Sequence, residues 1–181
     1  MTTIAKQSPP GIITGAAGYA HAGAWILGLA AAWDAASGIG DTHTDIAAAY
    51  VDRPAQAVPQ ALLVHGVAAA CLAVVGSGVL SRARRSGSLT ACVAGWAGIV
   101  VAALACVQLA LELVAILGAD PSSSRGGGAL FETVLRTDGA KMLTLAMFAA
   151  ATCTASRRDA LLRLWEVVSG WALGAALSPR P

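Results

Sequence analysis

Four long apolar runs constrain the fold of this 181-residue chain more than any other feature. They cover about residues 12–33, 61–80, 89–117 and 139–154. A helix needs about 20 largely apolar residues to cross the hydrocarbon core of a bilayer. The first three runs reach that length, and the fourth is somewhat shorter. The sequence therefore predicts an all-α fold, a transmembrane helix bundle of four helices.

A fifth segment, residues 161–177, is amphipathic in its first half and apolar in its second half. Such a segment either crosses the membrane or lies in its interface. Its second half, GWALGAAL, carries no charge, and Trp165 is placed to anchor one end. We therefore favour a fifth span over an interfacial helix.

Composition agrees with this class of protein. Only 12% of the residues are charged and 56% are hydrophobic, whereas soluble domains carry about 25% charged residues. Ala and Gly are abundant, and small side chains let transmembrane helices approach closely. The net charge of +2 gives no indication of a nucleic-acid partner. The predicted partners are the lipid bilayer, other membrane subunits, and copies of the chain that associate through small-residue helix faces.

The distribution of charge predicts the orientation. Cytoplasmic loops of membrane proteins are enriched in Lys and Arg. Two short loops are rich in arginine, with Arg82, Arg84, Arg85, Arg157 and Arg158. The loop at residues 34–60 instead holds four aspartates and one arginine. We therefore expect a multi-pass membrane protein with a cytoplasmic N-terminus and outer loops at about residues 34–60 and 118–138.

Both outer loops contain local signals. Thr44 is a candidate N-cap for a short helix, DIAAAYVD, and Pro54 and Pro59 are expected to mark the return to the membrane. In the second loop, PSSSRGGG has the composition of a flexible linker. The following ALFETVLRTD is expected to form a short helix that leads into the fourth span.

Five polar residues fall at one predicted depth near the outer surface. Glu112 lies about 7–8 Å below the end of the third helix, with Gln108 one turn deeper on the same face. Asp138 and Lys141 stand where the fourth helix enters, and His65 lies roughly 6 Å below the start of the second. Ionisable residues inside spans usually face the bundle interior. The five form either a cluster that fixes helix packing or an outward-facing site for a small polar ligand or a proton.

His21, near the middle of the first helix, raises a redox alternative. His21 and His65 would be the axial ligands of a haem b held between helices. Their depths differ by roughly 10 Å, however, and axial ligands must approach one iron from opposite sides. A histidine bonded to a neighbouring helix is the more common arrangement for His21.

Other chemistry is not indicated. The cysteines Cys71, Cys92, Cys106 and Cys153 lie in apolar runs without a CxxC pair, so free buried thiols are expected rather than a disulfide or metal site. No catalytic motif, such as GxSxG, HExxH or a phosphate-binding loop, is present. A stripe at four-residue spacing, Ala94, Gly98, Ala102, Cys106 and Ala110, predicts close helix contact.

Three stretches, GYAHAGAWILGL, DIAAAYVD and RTDGAKMLTLAMF, give the chain a layout that resembles small multi-pass membrane proteins of high-GC, actinobacterial-type bacteria. That resemblance implies a helical membrane protein and assigns no activity to any residue. The sequence thus predicts a non-enzymatic membrane protein, an accessory subunit or small-ligand binder. The alternative is a redox or proton-handling protein that uses His21 and His65.

Overall fold

The computed structural model describes residues 10–31, 42–119 and 127–159. Within these ranges the chain forms five helices, so the predicted all-α class is confirmed. They are α1 (Pro10–Ala31), α2 (His43–Asp52), α3 (Pro54–Ser86), α4 (Leu89–Leu117) and α5 (Gly127–Asp159). The segment 161–177 lies outside the described residues, as do Gly170 and Gly174, which continue the small-residue spacing there.

Helix α2 begins two residues earlier than expected. Its N-cap is Thr42, not Thr44, and the backbone N–H of Asp45 donates to Thr42 Oγ1 at 3.2 Å. The carboxylate of Asp45 in turn accepts from the backbone N–H of Thr42. This reciprocal capping box needs an acidic or amide side chain three residues after the cap. Thr42 has Asp45 at that spacing, whereas Thr44 has an alanine.

The predicted outer loop at residues 34–60 contains all of α2 and the start of α3, because α3 starts at Pro54 rather than near residue 61. Pro54 occupies the first turn, where its fixed φ favours a helix and its missing N–H has no partner to lose. Pro59 lies inside the helix. Three residues later the helix widens to a π segment over Leu62–Val67, and the N–H of Ala68 donates to the Leu63 carbonyl.

Helix α4 has the predicted bounds of residues 89–117, since Ser88 caps its start and Gly118 follows its end. Helix α5 is much longer than the predicted span at residues 139–154. Gly127 and Gly128 of the predicted linker, and residues 129–138 of the predicted outer loop, all belong to this helix. The length of an apolar run predicts only the part of a helix that is suited to lipid. The hydrogen-bonded helix can continue beyond that run into more polar sequence, as it does in α5.

Glycine brings α3 and α4 into close contact. A Cβ on Gly76 would lie 3.0 Å from the backbone nitrogen of Ile99, and one on Gly98 would lie 3.1 Å from the Cα of Gly76. The phenyl ring of Phe148 on α5 covers Gly98 from the other side. Part of the predicted small-residue stripe therefore packs within the chain, with Ala94, Gly98 and Ala102 buried, whereas Cys106 and Ala110 are exposed. The contact fixes the register between α3, α4 and α5.

The bundle has two chemically different ends. At one end Ala83, Ala91 and Ala155 pack together, next to the arginine-rich last turns of α3; the arginines predicted to lie in a loop are thus part of this helix. At the other end Tyr50, Ala57, Ala115, Ile116 and Phe131 form a second core. The end of α1, all of α2, the start of α3, the end of α4 and the start of α5 thus meet at the end remote from the arginines. We call it the α2 end.

Among the described residues, two helices are long and apolar enough to cross a membrane, Pro54–Ser86 and Leu89–Leu117. These helices contain the predicted second and third spans. Helices α1 and α5 are not among them. In α5 the start of the predicted span holds Lys141, and in α1 the centre holds His21 among alanines and glycines that add little hydrophobicity.

Candidate functional site

All five residues of the predicted polar cluster lie together at the α2 end. His65 is supplied by the π segment of α3, Gln108 and Glu112 by adjacent turns of α4, and Asp138 and Lys141 by adjacent turns of α5. Four of the five side chains are buried, and Asp138 is half-buried. We refer to these residues as the polar cluster.

The ion pair within the cluster is local to α5. Lys141 Nζ lies 2.6 Å from Asp138 Oδ1. Lys141 is only 3% exposed, whereas 37% of the Asp138 side chain is exposed. The buried ammonium therefore has a carboxylate partner that reaches toward solvent.

The ring of His65 connects this pair to Glu112. Lys141 Nζ lies 3.5 Å from His65 Nδ1, and His65 Nε2 lies 3.2 Å from Glu112 Oε2. A charged lysine is a donor without an acceptor, so Nδ1 must accept and the ring proton belongs on Nε2, which faces Glu112. The His65 ring thus lies between the Lys141 ammonium and the Glu112 carboxylate.

The side-chain amide of Gln108 has a fixed orientation. Its Nε2 donates to the Val134 carbonyl at 3.3 Å and to Asp138 Oδ1 at 3.0 Å. Both neighbours are acceptors, so the amide nitrogen has to face them and the amide oxygen faces away. Among the described residues, Gln108 Oε1 has no hydrogen-bond partner.

Glu112 also has an unsatisfied oxygen. Its Oε2 is near His65, but that contact lacks the alignment of a hydrogen bond, and no described donor serves it. Gln108 is 1% exposed and Glu112 is 5% exposed. A buried polar atom without a partner costs about 1–3 kcal/mol. Two such oxygens in one place are the most unusual feature of the site.

Both residues line a cavity of about 190 Å³ at the α2 end. Apolar side chains of α5, among them Phe131 and Val134, form one side of it. Polar residues at the junction of α2 and α3, among them Arg53 and Gln60, form another. An apolar cavity of about 150 Å³ holds a benzene-sized molecule, so this space is sufficient for a small organic ligand.

Aromatic residues around the cluster were not anticipated from the sequence. The Lys141 ammonium lies 5.4 Å from the ring centroid of Trp25 on α1, within the range of a cation–π contact. Tyr50 and Phe131 meet edge to face, with 6.3 Å between ring centroids. The sequence offered one signal for them, which is Tyr50, the single aromatic residue in the stretch DIAAAYVD.

Tyr50 lies in α2, on the lining of the cavity. Burial, and after it the negative charge of Glu112, raise the pKa of the Tyr50 phenol above its usual value. The phenol is therefore neutral at physiological pH and keeps its O–H as a hydrogen-bond donor.

His65 does not fit as one axial ligand of a bis-histidine haem site. His65 has Lys141 at one ring nitrogen and Glu112 at the other, so neither nitrogen has a lone pair directed at an open position. His21 lies with Nδ1 2.8 Å from the Ala68 carbonyl oxygen of α3, and so must donate to it. That bond is the interhelical role expected for His21.

Comparison of the chain with protein-family models, with curated proteins and with solved structures finds no significant match. The resemblance to multi-pass proteins of high-GC bacteria thus stays a prediction.

Proposed function

We propose that this chain is an integral membrane protein whose polar cluster forms part of an outward-facing pocket for a small polar ligand. The carrying observation is a pair of buried acceptor oxygens without a hydrogen-bond donor among the described residues, one on Gln108 and one on Glu112, and both residues line one cavity. Binding sites combine an apolar wall with a few placed polar groups, and this cavity has both. The role we propose for it is non-enzymatic, that of a small-ligand binder or accessory subunit.

The outer surface supports membrane insertion. Large apolar side chains are exposed on all four long helices, for example Ile26, Val67, Trp96 and Leu143. In the apolar windows of α3 and α4 only 39% of the residues are buried. The packed interior instead consists largely of Ala and Gly, with polar residues at its α2 end. An apolar exterior around a small-residue interior is typical of helices packed in lipid.

The orientation follows from the two ends of the bundle. The end of α3 that carries Arg82, Arg84 and Arg85 lies opposite the cavity. Arginine-rich loops remain in the cytoplasm. The proposal therefore places the α2 end, and the mouth of the pocket, on the outside of a bacterial plasma membrane. The first and fourth predicted spans then belong to α1 and α5.

Thiol labelling tests both the orientation and the pocket. In a background with the four native cysteines replaced by alanine, Asp45→Cys and Gln60→Cys should react in intact cells with a small membrane-impermeant methanethiosulfonate. Arg84→Cys should react only after permeabilisation. Ala73→Cys is the matched control, because Ala73 is half-buried in the same helix as Gln60 and packs in the core away from the cavity.

Two outcomes would contradict the proposal. Labelling of Arg84→Cys but not Asp45→Cys from outside would reverse the orientation. If Gln60→Cys were as unreactive as Ala73→Cys while Asp45→Cys reacted, the pocket would not be open to the exterior.

The alternative is a redox or proton-handling protein that uses His21 and His65, and its haem form has no comparable support, because no observation of the described residues favours haem or electron transfer. A visible absorption spectrum of the purified protein separates the two functions. A Soret band would favour the alternative.

A further inference from the structure

The two acceptor oxygens without a donor, Gln108 Oε1 and Glu112 Oε2, indicate the chemistry of a ligand for this cavity. Gln108 Oε1 is held facing away from Asp138 and Val134 because the amide nitrogen is committed to both. Glu112 Oε2 is buried beside a poorly aligned imidazole. Both residues line the same cavity. A ligand that completes the site must donate at least two hydrogen bonds.

The charges of the cluster favour a cationic donor. Two carboxylates, on Glu112 and Asp138, face one ammonium, on Lys141, which is committed to Asp138 at 2.6 Å. Protonating His65 would balance the charge, but it would place two cations 3.5 Å apart at His65 and Lys141. Arg53 also lines the cavity, but it is solvent-exposed, so its charge compensates a buried carboxylate less than a cation inside the cavity would. The negative charge of Glu112 is therefore best neutralised by a cation in the cavity.

The size and walls of the cavity restrict that cation. Phe131, Val134 and Leu135 give one side an apolar surface. A volume of about 190 Å³ admits a short organic tail. An amine with a few carbons would direct its N–H groups to the oxygens and its tail to this wall.

We propose that the cavity binds a small primary ammonium compound, with N–H groups donated to Glu112 Oε2 and Gln108 Oε1. This inference rests on the proposed function, since it names the ligand class of the same pocket. The inference goes beyond the proposed function because it requires a ligand with both a positive charge and N–H donors.

Four probes of similar size test the two requirements with the purified full-length protein in detergent. They are n-butylammonium, 1-butanol, butyrate and tetramethylammonium, followed by the shift in melting temperature and by Trp fluorescence. Butylammonium should stabilise the protein in a saturable manner. Butanol has a donor but no charge, and tetramethylammonium has the charge but no donor, so both should bind at least about tenfold more weakly. Butyrate should not bind.

Variants locate the binding. Glu112→Gln and Gln108→Leu should each lower the affinity for butylammonium by about tenfold or more. Glu132→Gln is the matched control, since Glu132 is an exposed carboxylate on α5, and it should bind as the wild type does. If either acceptor variant fails to fold, binding of the four probes to the wild-type protein still tests whether charge and N–H donors are both required.

Several results would overturn the inference. Equal binding of butanol would show that charge is not recognised, and equal binding of tetramethylammonium would show that donors are not recognised. Absence of any butylammonium effect would also contradict it. In each case the labelling of Gln60→Cys decides separately whether the outward-facing pocket exists.

Discussion

Lys141→Met is expected to destabilise the folded protein by about 3 kcal/mol. The substitution keeps the length of the side chain and removes an ammonium that is 3% exposed and 2.6 Å from Asp138. Breaking a buried ion pair from one side costs about 3–5 kcal/mol. The partial exposure of Asp138 places the expected loss at the lower end of that range. Loss of the contact with Trp25 acts in the same direction.

The chain provides a matched control on the same helix. Arg136 Nη2 lies 2.6 Å from Glu132 Oε1, the same distance as in the Lys141–Asp138 pair, but these side chains are 79% and 54% exposed. Exposed pairs contribute about 0–1 kcal/mol. Arg136→Met should therefore change the free energy of unfolding by less than about 1 kcal/mol. Equilibrium unfolding in mixed detergent micelles measures both variants, and an equal loss for both would show that Lys141 is not buried.

Gly95→Ala is expected to destabilise the protein by about 2–3 kcal/mol. A Cβ at Gly95 would lie 2.7 Å from the Cβ of Leu80 and 2.8 Å from its Cα and backbone nitrogen. Backbone atoms cannot rotate away as a side chain does, so α3 and α4 must separate. The gain in helix propensity from Gly to Ala, about 1 kcal/mol, only partly offsets this loss.

Gly23→Ala is the control, because nothing lies within 4 Å of a Cβ built at Gly23 on α1. It should leave the free energy of unfolding unchanged or raise it by up to about 1 kcal/mol. The same unfolding titration compares the two. A Gly95→Ala variant as stable as Gly23→Ala would mean that the helices are not in close contact at Leu80.

The sequence was sufficient to predict the depth of the polar-cluster residues in the membrane, but not which of them contact one another. Counting 1.5 Å per residue from the ends of apolar runs puts His65, Gln108 and Glu112 at one level whatever the packing. The pair of Lys141 with Asp138 is local to α5, but the contacts of His65 with Lys141 and Glu112 depend on the rotation and register of neighbouring helices. Those are set by the close contact at Gly76 and Gly98; the small-residue stripe predicts a close contact at Gly98 but not its partner.

Some helix bounds could likewise be predicted from the sequence, and others could not. Helix α4 could be predicted because Ser88 and Gly118 are strong local end signals at the edges of its apolar run. The start of α5 at Gly127 could not, since three glycines and polar residues indicate a loop by composition. The π segment that holds His65 could not be predicted either, since nothing in the sequence LLVHGV distinguishes it from an ordinary helical turn.

The central claim is that Glu112 belongs to a ligand pocket and is not a structural ion pair. The free energy of unfolding of Glu112→Gln in amine-free buffer tests it most directly. A glutamine amide removes the buried charge, and its NH₂ can donate to the unsatisfied Gln108 Oε1. Our account predicts a variant as stable as the wild type, or more stable by up to about 1 kcal/mol, because groups placed for a ligand weaken the empty protein. A loss of about 2 kcal/mol or more would instead show that the Glu112 charge holds the helices together, and would contradict the pocket.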